Sequence, residues 1–429
     1  MINIEDYLNN FYRGTKNPTL NAMKYFLGKF NDFDRDMKFI HIAGTNGKGS
    51  CTEIIANILI KQGYKVGKFM SPHLIKYNER ININGKQISD KEMSDIIEEL
   101  QPLIEEYNKK EEFKITLFEL ETIMGLLYFY RNNVDFVILE TGLGGLYDCT
   151  NVIKKPLVSI ITSIGYDHMR ILGNTLEEIA YQKAGIIKEN SDTVIFEQNS
   201  SVNKVFIDEC TKKNNLLHIV KKENIENYRY DNSFQYFDYK DLKDLKLNLK
   251  GKMQVRNVSI CLEAIEILRN KGYKIDIESI KEGLKTIVHK GRMEQLNENP
   301  TIIFDGAHNE PAIRNLLDMV DMYYKNRKRT YIISILARKD YRKMLDILAK
   351  DKEAIFIMTS GNDTDKFVSS YELCQYMKQY VDSYKIIKRD LEEAIEMVMA
   401  NKDETVYFCV GSFYTYSNVI KKINKIKEK

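Results

Sequence analysis

The stretch that decides the fold reads His41-Ile42-Ala43-Gly44-Thr45-Asn46-Gly47-Lys48-Gly49-Ser50. It follows a short apolar run and precedes an apolar stripe over residues 54–59 that has helical spacing and stops near Gly63. The pattern predicts a strand, a glycine-rich turn, a helix over residues 48–62 and a second strand over residues 65–70. The backbone N–H groups of such a turn can surround a polyphosphate at the helix N-terminus. We therefore predict that this turn binds ATP.

The residues of the turn have expected roles at the phosphates. Lys48 would pair with the β- and γ-phosphates, and the Ser50 hydroxyl would bind Mg²⁺. The usual P-loop pattern is not matched, because Ile42 stands where its first glycine belongs and Gly49 separates the lysine from the serine. Glycines also make ordinary tight turns between a strand and a helix, which is the alternative interpretation. The predicted ATP contacts in the turn are Gly44, Thr45, Asn46, Gly47, Lys48, Gly49 and Ser50.

Length and composition limit the class of protein. The chain has 429 residues, and its 64 Lys and Arg against 61 Asp and Glu give a net charge of +3. Two or three domains fit this length, and the near-neutral charge argues against a nucleic-acid binder. Six scattered cysteines without a CxxC pair favour a reducing compartment, and no signal peptide or membrane-spanning run stands out. We expect a cytoplasmic monomer without nucleic-acid or membrane partners.

Alternating helical and strand patterns predict two α/β domains. Three helix starts carry a Ser or Thr followed three residues later by Glu, at Ser89, Thr116 and Thr175. Apolar runs over residues 134–139 and 157–164 predict buried parallel strands. Residues 224–249 predict antiparallel strands ahead of a long helix over residues 253–270. After Gly291, short strands that alternate with helical segments predict a second, doubly wound domain.

Further blocks of sequence carry a resemblance to a known family. They are SPHL at 71–74, ERI at 79–81, LFE at 117–119, ETGLGG at 140–145, TSI at 162–164, DH at 167–168, KAGI at 183–186, GR at 291–292 and DGAHN at 305–309. With the glycine-rich turn, they resemble the Mur ligase superfamily and, within it, folylpolyglutamate synthase/dihydrofolate synthase. The resemblance implies an N-terminal P-loop Mur-ligase-like ATPase domain that also binds folate, residues 1–293, and a C-terminal Rossmann-like glutamate-ligase domain, residues 294–429.

The resemblance implies an ATP-dependent ligase. ATP would phosphorylate a carboxylate, and the amine of L-glutamate would attack the acyl phosphate, with tetrahydrofolate and dihydropteroate as acceptors. One alternative is a Mur-type ligase that acts on a UDP-linked cell-wall precursor, which the SPHL block and the lack of a UDP-binding domain ahead of Lys48 disfavour. The other alternative is a P-loop ATPase module without ligase activity, which phosphate release with and without L-glutamate would identify.

The resemblance also implies metal ligands. Ser50, Ser71 and Glu140 would serve a first Mg²⁺ and His168 a second. Lys183 would be carbamylated by CO₂ and would supply carbamate oxygens. Each residue has a plainer interpretation. Glu140 is also the expected end of a strand, and Ser71 precedes a proline and fits a turn. His168 fits a loop histidine satisfied by its neighbour, and Lys183 fits a charge at a helix C-terminus.

On the nucleotide side the resemblance places Asn257 at the adenine, Arg292 and Asp305 at the ribose and phosphates, and His308 near the γ-phosphate. The residues expected to act in catalysis are Lys48, Lys183 and His308. The residues alone also allow an exposed helical Asn257. Asp305 and His308 also fit caps of a helix that starts near residue 311.

On the folate side the resemblance implies contacts from Thr116, Phe118, Tyr147 and Asp148. An aromatic ring can stack on the pterin, and a carboxylate can pair with its N–H groups. Phe118 also fits a core position. The chain departs from the family at Leu146, where the family usually has arginine, and this departure bears on the choice of acceptor.

Overall fold

The computed structural model describes residues 3–12, 14, 19–112, 114–361 and 366–428. The chain divides into two compact units, Met1–Val288 and His289–Lys429. The division falls after residue 288, where the sequence led us to expect residue 293. Among the described residues, four clusters of buried apolar side chains each lie within one unit. Each unit therefore has a core of its own.

The first unit is built on an eight-stranded sheet. Its strands are β1 Phe39–Ala43, β2 Val66–Phe69, β3 Ile81–Ile83, β4 Lys86–Gln87, β5 Phe136–Glu140, β6 Val158–Ile161, β7 Asp192–Phe196 and β8 Leu216–Val220. Their order is β4-β3-β2-β5-β1-β6-β7-β8. Strands β2, β5, β1, β6, β7 and β8 run parallel, whereas β3 pairs antiparallel with both β2 and β4 at the edge of the sheet. The carboxyl ends of the parallel strands meet at one side of the sheet, where such sheets place their ligand sites.

Helices cover both faces of this sheet. They are α1 Ile4–Asn9, α2 Asn21–Lys29, α3 Lys48–Lys61, α4 Asp90–Lys110, α5 Leu117–Arg131, α6 Met169–Leu172, α7 Leu176–Ala184, α8 Ser200–Lys212, α9 Lys252–Asn270 and α10 Ile277–Thr286. Successive strand residues point to opposite faces. Ile40 and Ile42 pack in the cluster with α3, α9 and α10, whereas Phe39 packs with α2, α4 and α5. Because both faces are covered, β1 is buried along its whole length, and its residues are apolar except for His41.

A small antiparallel sheet belongs to the same unit. Its strands are β9 Ile225–Tyr230, β10 Gln235–Tyr239 and β11 Leu242–Leu247, and β10 lies between the other two. Phe237, Leu245 and Leu247 are buried in the cluster that contains α9 and α10. The antiparallel strands predicted between residues 224 and 249 are therefore confirmed.

The second unit has a six-stranded sheet. Its strands are β12 Glu294–Asn297, β13 Thr301–Asp305, β14 Arg329–Ile333, β15 Ile355–Met358, β16 Ile386–Lys388 and β17 Val406–Val410, in the order β12-β13-β17-β14-β15-β16. Only β12 is antiparallel to its neighbour. Its helices are α11 Glu310–Tyr324, α12 Tyr341–Leu348, α13 Ser370–Met377, α14 Leu391–Ala400 and α15 Tyr416–Lys427. Tyr331 stacks on Phe356 and Phe408 in the core.

Helix caps agree with the sequence in the first unit and differ from it in the second. Ser89, Thr116 and Thr175 each form the predicted capping box. For α11, however, the cap is Asn309, whose side chain accepts a hydrogen bond from the N–H of Ala312 at 3.0 Å. Asp305 and His308 are therefore not the caps of this helix. Within the described residues, the structure contains no helix with the length and apolar character needed to cross a membrane.

Candidate active site

The glycine-rich turn joins β1 to α3 and can be built only with glycine at two positions. Gly44 has φ +149° and Gly47 has φ +95°, in the region that favours glycine. A Cβ on Gly44 would overlap the side chain of Thr162, and a Cβ on Gly47 would lie 2.6 Å from the Oδ1 of Asn257. Close approach of two other segments therefore accounts for both glycines.

The turn is held by the loop that follows β6. The N–H of Thr45 donates to the carbonyl of Ser163 at 2.8 Å, and the Thr162 hydroxyl donates to the carbonyl of Asn46 at 2.7 Å. The Thr45 hydroxyl also donates to the carbonyl of Gly165 at 3.1 Å. These bonds fix the turn without a ligand, so its geometry is preorganised for binding.

Two lysines meet at one backbone oxygen of the turn. The ammonium groups of Lys48 and Lys183 donate to the carbonyl of Gly44 at 3.1 Å and 2.8 Å. Lys183 lies in the last turn of α7 but is only 3% exposed, so it is not a surface charge at a helix end. Burial, together with the charge of Lys48, lowers the pKa of Lys183 to about 7. The site concentrates positive charge before any phosphate is bound.

Oxygen atoms suited to a hard cation lie beside this turn. Glu140 ends β5 and is buried, and β5 pairs with β1 so that Glu140 lies opposite Ile42. Its Oε2 accepts the N–H of Ser71 at 3.3 Å, and Ser50 is buried in the first turn of α3. Across the described ranges, no group of three or more His, Cys, Asp or Glu side chains has the geometry of a metal site. A metal here would therefore depend on hydroxyl oxygens and on the substrate as well as on Glu140.

His168 lies on the loop after β6, the strand whose loop supports the turn. Its backbone is in the left-handed region, with φ +51°, and its N–H donates to the Asp167 carboxylate at 2.8 Å. Its Nε2 lies 3.8 Å from the same carboxylate. The neighbour that the plainer interpretation named is therefore present, and a metal-binding role stays a prediction.

Asn257 lies against the turn rather than in solvent. It is buried on α9, and its Nδ2 donates to Gln254 Oε1 at 3.0 Å. The interpretation of Asn257 as an exposed helical residue is therefore wrong. Its side chain is the group that a Cβ on Gly47 would meet, which places it beside the glycine-rich turn.

Asp148 organises the loop of residues 142–151, which follows β5. It is buried, and its Oδ2 accepts the N–H of Leu143 at 2.8 Å. Its Oδ1 accepts both the N–H and the hydroxyl of Thr150, at 3.1 Å and 2.6 Å. Burial raises the pKa of Asp148, and these hydrogen bonds oppose that shift. The geometry gives Asp148 a positioning role, whereas its contact with a pterin stays a prediction.

The other residues predicted for folate differ in their surroundings. Phe118 packs on the start of the same loop, because a Cβ on Gly142 would lie 2.6 Å from its ring. Thr116 is buried and exchanges hydrogen bonds with Glu119 in the capping box of α5. Tyr147 is 51% exposed. Leu146 donates its N–H to the carbonyl of Gln182 at 2.7 Å, which ties the loop to α7.

Two charged residues, Glu79 and Arg80, received no role from the sequence. Glu79 accepts the N–H groups of residues 74, 75 and 76 and so closes the loop that follows Ser71. Arg80 forms a buried ion pair with Glu121 at 2.9 Å, and its Nε donates to His73 at 3.0 Å. The signal in the sequence is Glu121 itself, because a carboxylate within the apolar run of a helix requires a partner when it is buried.

In the second unit, Arg292 and His308 both lie beside the ring of Phe413. The Arg292 guanidinium lies 4.6 Å from the ring centre of Phe413, and the His308 ring centre lies 5.7 Å from it. Asp305 is buried and accepts the N–H groups of Met293 and Ala307 at 3.0 Å and 2.9 Å. Burial raises the pKa of Asp305, and Arg292 counteracts the shift. His308 Nδ1 donates to the carbonyl of Gly306 at 2.7 Å.

Comparison with known proteins defines the class. The Mur ligase middle domain model matches residues 42–265, and the model of the Mur ligase glutamate ligase domain matches residues 291–413. The chain is therefore a Mur ligase, an ATP-dependent ligase. It is 32% identical to the dihydrofolate synthase/folylpolyglutamate synthase of Bacillus subtilis over 418 residues, 95% of each chain. Within the Mur ligases, the chain belongs to the dihydrofolate synthase/folylpolyglutamate synthase family.

Solved structures agree with this assignment. The folylpolyglutamate synthase of Thermotoga maritima is similar with a TM-score of 0.83 and 29% identity, over 99% of this chain and 97% of that one. Escherichia coli FolC in complex with DHPP and ADP is similar with a TM-score of 0.84 and 26% identity, over 98% and 97%. The similarity covers both units of the chain.

Proposed function

We propose that this ligase adds L-glutamate to folates with ATP, and that its acceptors are tetrahydrofolate and dihydropteroate. The observation that carries the proposal is the preorganised glycine-rich turn at the start of α3, where the Lys48 ammonium donates to the carbonyl of Gly44. A cation at a helix N-terminus attracts a polyphosphate. The Bacillus subtilis relative is named for both synthase activities, which supports both acceptors.

The reaction joins a carboxylate to an amine in two steps. The γ-phosphoryl group of ATP passes to the acceptor carboxylate, which forms an acyl phosphate and releases ADP. The amine of L-glutamate then attacks the acyl carbon, loses a proton and displaces phosphate. Both steps need positioning and cationic charge more than covalent chemistry by the protein. Lys48 would supply that charge at the β- and γ-phosphates.

Magnesium is part of this proposal. Bound Mg²⁺ would neutralise phosphate charge and hold the acceptor near the γ-phosphate. Ser50, Ser71 and Glu140 offer the hard oxygen atoms that Mg²⁺ prefers, and two of these residues are buried beside the turn. His168 would serve a second ion.

Lys183 fits such a site only after modification. An ammonium close to Mg²⁺ would repel it, whereas a carbamate would attract it. The neutral amine attacks the carbon of CO₂, a C–N bond forms, and the proton that leaves gives an anionic carbamate. A pKa near 7 leaves about half of the Lys183 amine neutral at pH 7, against on the order of one in a few thousand for an ordinary lysine.

The remaining assignments follow the division of the chain. We assign ATP and folate binding to the first unit. We assign the role of glutamate ligase domain to the second unit, because the family model that matches it carries that description. The proposed nucleotide contacts outside the turn are Asn257 at the adenine, Arg292 and Asp305 at the ribose and phosphates, and His308 at the γ-phosphate. The proposed folate contacts are Thr116, Phe118, Tyr147 and Asp148. We also propose a cytoplasmic monomer, which cell fractionation and gel filtration test.

The decisive experiment follows ligated products by mass. Purified protein receives ATP, Mg²⁺ and L-glutamate with either dihydropteroate or tetrahydrofolate. We expect one added glutamyl residue on dihydropteroate and one or more on tetrahydrofolate. If only tetrahydrofolate gives a product, the protein is a polyglutamate synthase without dihydrofolate synthase activity. If phosphate release does not depend on L-glutamate, the protein is an ATPase module.

A matched pair of lysines on α3 tests the phosphate site. Lys48→Ala should abolish ligation with the fold retained, because the Lys48 ammonium donates to the carbonyls of Gly44 and Thr45 in its own turn, and loss of these bonds costs little stability. Lys61→Ala, an exposed lysine at the other end of the same helix, should leave ligation unchanged. Near-normal ligation by Lys48→Ala would place the phosphate site elsewhere.

A further inference from the structure

A buried chain of hydrogen bonds joins β1 to the loop of residues 142–151. His41 lies in the middle of β1, three residues before Gly44 begins the glycine-rich turn, and is 0% exposed. Its Nε2 lies 2.8 Å from the hydroxyl of Thr150. The same hydroxyl lies 2.6 Å from Oδ1 of Asp148. Three side chains from two segments are therefore joined by hydrogen bonds, and His41 and Thr150 are 109 residues apart in the sequence.

The chemistry of the groups sets the direction of this chain. The Asp148 carboxylate accepts all of its hydrogen bonds, so the Thr150 hydroxyl must give its single proton to Asp148. The hydroxyl oxygen can then only accept from His41, which requires a proton on Nε2. His41 Nδ1 is buried and has no hydrogen-bond partner among the described residues. This agrees with a ring nitrogen that carries no proton and lies in an apolar setting. Burial and nearby Lys188 lower the pKa of His41 to about 3, so its ring is neutral.

The chain ends on the backbone of the substrate-side loop. Asp148 Oδ2 accepts the N–H of Leu143 at 2.8 Å. Leu143 follows Gly142, the residue that packs against the ring of Phe118. We propose that His41 is a positioning residue, which orients the Thr150 hydroxyl and, through Asp148, sets the conformation of residues 142–148 for the folate substrate. The identity of the substrate in this inference rests on the proposed function, whereas the hydrogen bonds are independent of it.

The position of His41 makes a purely space-filling role a poor explanation. Its neighbours on β1, Ile40 and Ile42, are apolar and fully buried, as a central parallel strand requires. A buried imidazole in their place costs free energy unless its polar atoms are used. His41 uses the one nitrogen that faces Thr150. A residue that only filled the core would not need that donor.

Three variants separate positioning from packing. His41→Leu removes the donor, Thr150→Val removes the hydroxyl at nearly constant volume, and His41→Gln keeps an amide N–H at a similar reach. We expect the first two to raise KM for dihydropteroate about tenfold, with KM for ATP changed by less than about twofold. The double variant should be no worse than the worse single one, because both break the same chain. His41→Gln should recover most of the loss.

A control variant measures the effect of losing any buried hydroxyl. Ser191→Ala removes a hydroxyl that donates to the carbonyl of Pro156 at 2.7 Å, before β7 begins and away from the carboxyl ends of the strands. It should leave both KM values unchanged. Additive losses in the double variant, equal rises in KM for ATP, or a lowered Tm with unchanged KM would each overturn the positioning role.

A readout independent of activity separates this inference from the proposed function. Nitrogen NMR of protein labelled in histidine reports the tautomer of His41, which we expect to carry its proton on Nε2 and to change its signal in Thr150→Val. A proton on Nδ1 would overturn the chain of hydrogen bonds whatever the substrate. Wild-type protein that ligates no folate while showing the Nε2 tautomer would refute the proposed function and the substrate of the inference, leaving its hydrogen bonds standing.

Discussion

Two lysines share one backbone oxygen in this protein, and the electrostatic cost falls on the more buried of them. Lys48 and Lys183 both donate to Gly44, and repulsion adds to burial in lowering the pKa of Lys183. Either a bound anion or a change in the charge of Lys183 relieves this repulsion. In the proposed function, the nucleotide would supply the first and a carbamate the second. The surroundings of Lys183 therefore favour its neutral amine, the form that reacts with CO₂.

Removal of Lys183 should be partly reversible by a small acid. Lys183→Ala takes away the proposed carbamate and leaves a buried space beside Gly44. We expect ligation to fall by about 100-fold or more, and formate or acetate to restore part of it by placing a carboxylate there. The measurement is the ligation rate against acid concentration. Full activity of Lys183→Ala without added acid would return Lys183 to a structural role at the end of α7.

The carbamate itself should appear as pH rises. Only the neutral amine reacts with CO₂, and the pKa of Lys183, lowered to about 7, makes the amine neutral above that value instead of above 10.5. With ¹³C-bicarbonate we expect a carbamate resonance near pH 8 that fades as pH falls through about 7. Lys183→Ala is the control and should lack the resonance. A resonance that persists in that variant would belong to another amine.

At the scale of elements, the contact between α7 and the loop of residues 142–151 requires a glycine at the end of α7. Gly185 follows α7 with ordinary helical dihedral angles, but a Cβ there would overlap the backbone of Leu146. Gly185→Ala should lower the free energy of unfolding by about 1–3 kcal/mol and raise KM for the folate. Gly28→Ala, in α2 with open space around it, should be neutral or stabilising by up to about 1 kcal/mol. Equal behaviour of the two variants in thermal melts and kinetics would contradict this view of the contact.

Much of the element structure could be predicted because its signals are local. Capping boxes, the glycine-rich turn and buried apolar runs each lie within a few residues, and they located α4, α5, α7, β1 and β5. The short strands β3 and β4 and the half-exposed β8 give no such pattern. The order of strands, with β1 between β5 and β6, depends on pairings far apart in sequence.

The candidate site was predicted only where a motif carried it. The turn of residues 44–50 was found from its glycines and Lys48. Sequence spacing alone predicts that Lys183 is a charge at a helix end. Its contact with Gly44 cannot be predicted from local sequence, because the two residues are 139 positions apart. The bond between His41 and Thr150 spans 109 residues and leaves no mark on either local pattern. Contacts of this kind arise from the packing of the whole unit, which is the step that local sequence patterns do not contain.

At the scale of the whole molecule, the second unit should fold on its own. Its core consists of residues within 289–429, and its parallel sheet is covered by its own helices. A unit of this size buries enough apolar surface for independent stability. Expressed alone, residues 289–429 should melt in a single cooperative transition measured by circular dichroism. Phe408→Ala, in the aromatic stack, should cost about 3–5 kcal/mol. Tyr384→Ala, 77% exposed, should change little. A broad melt that is insensitive to Phe408→Ala would mean that the core is completed only by the rest of the chain.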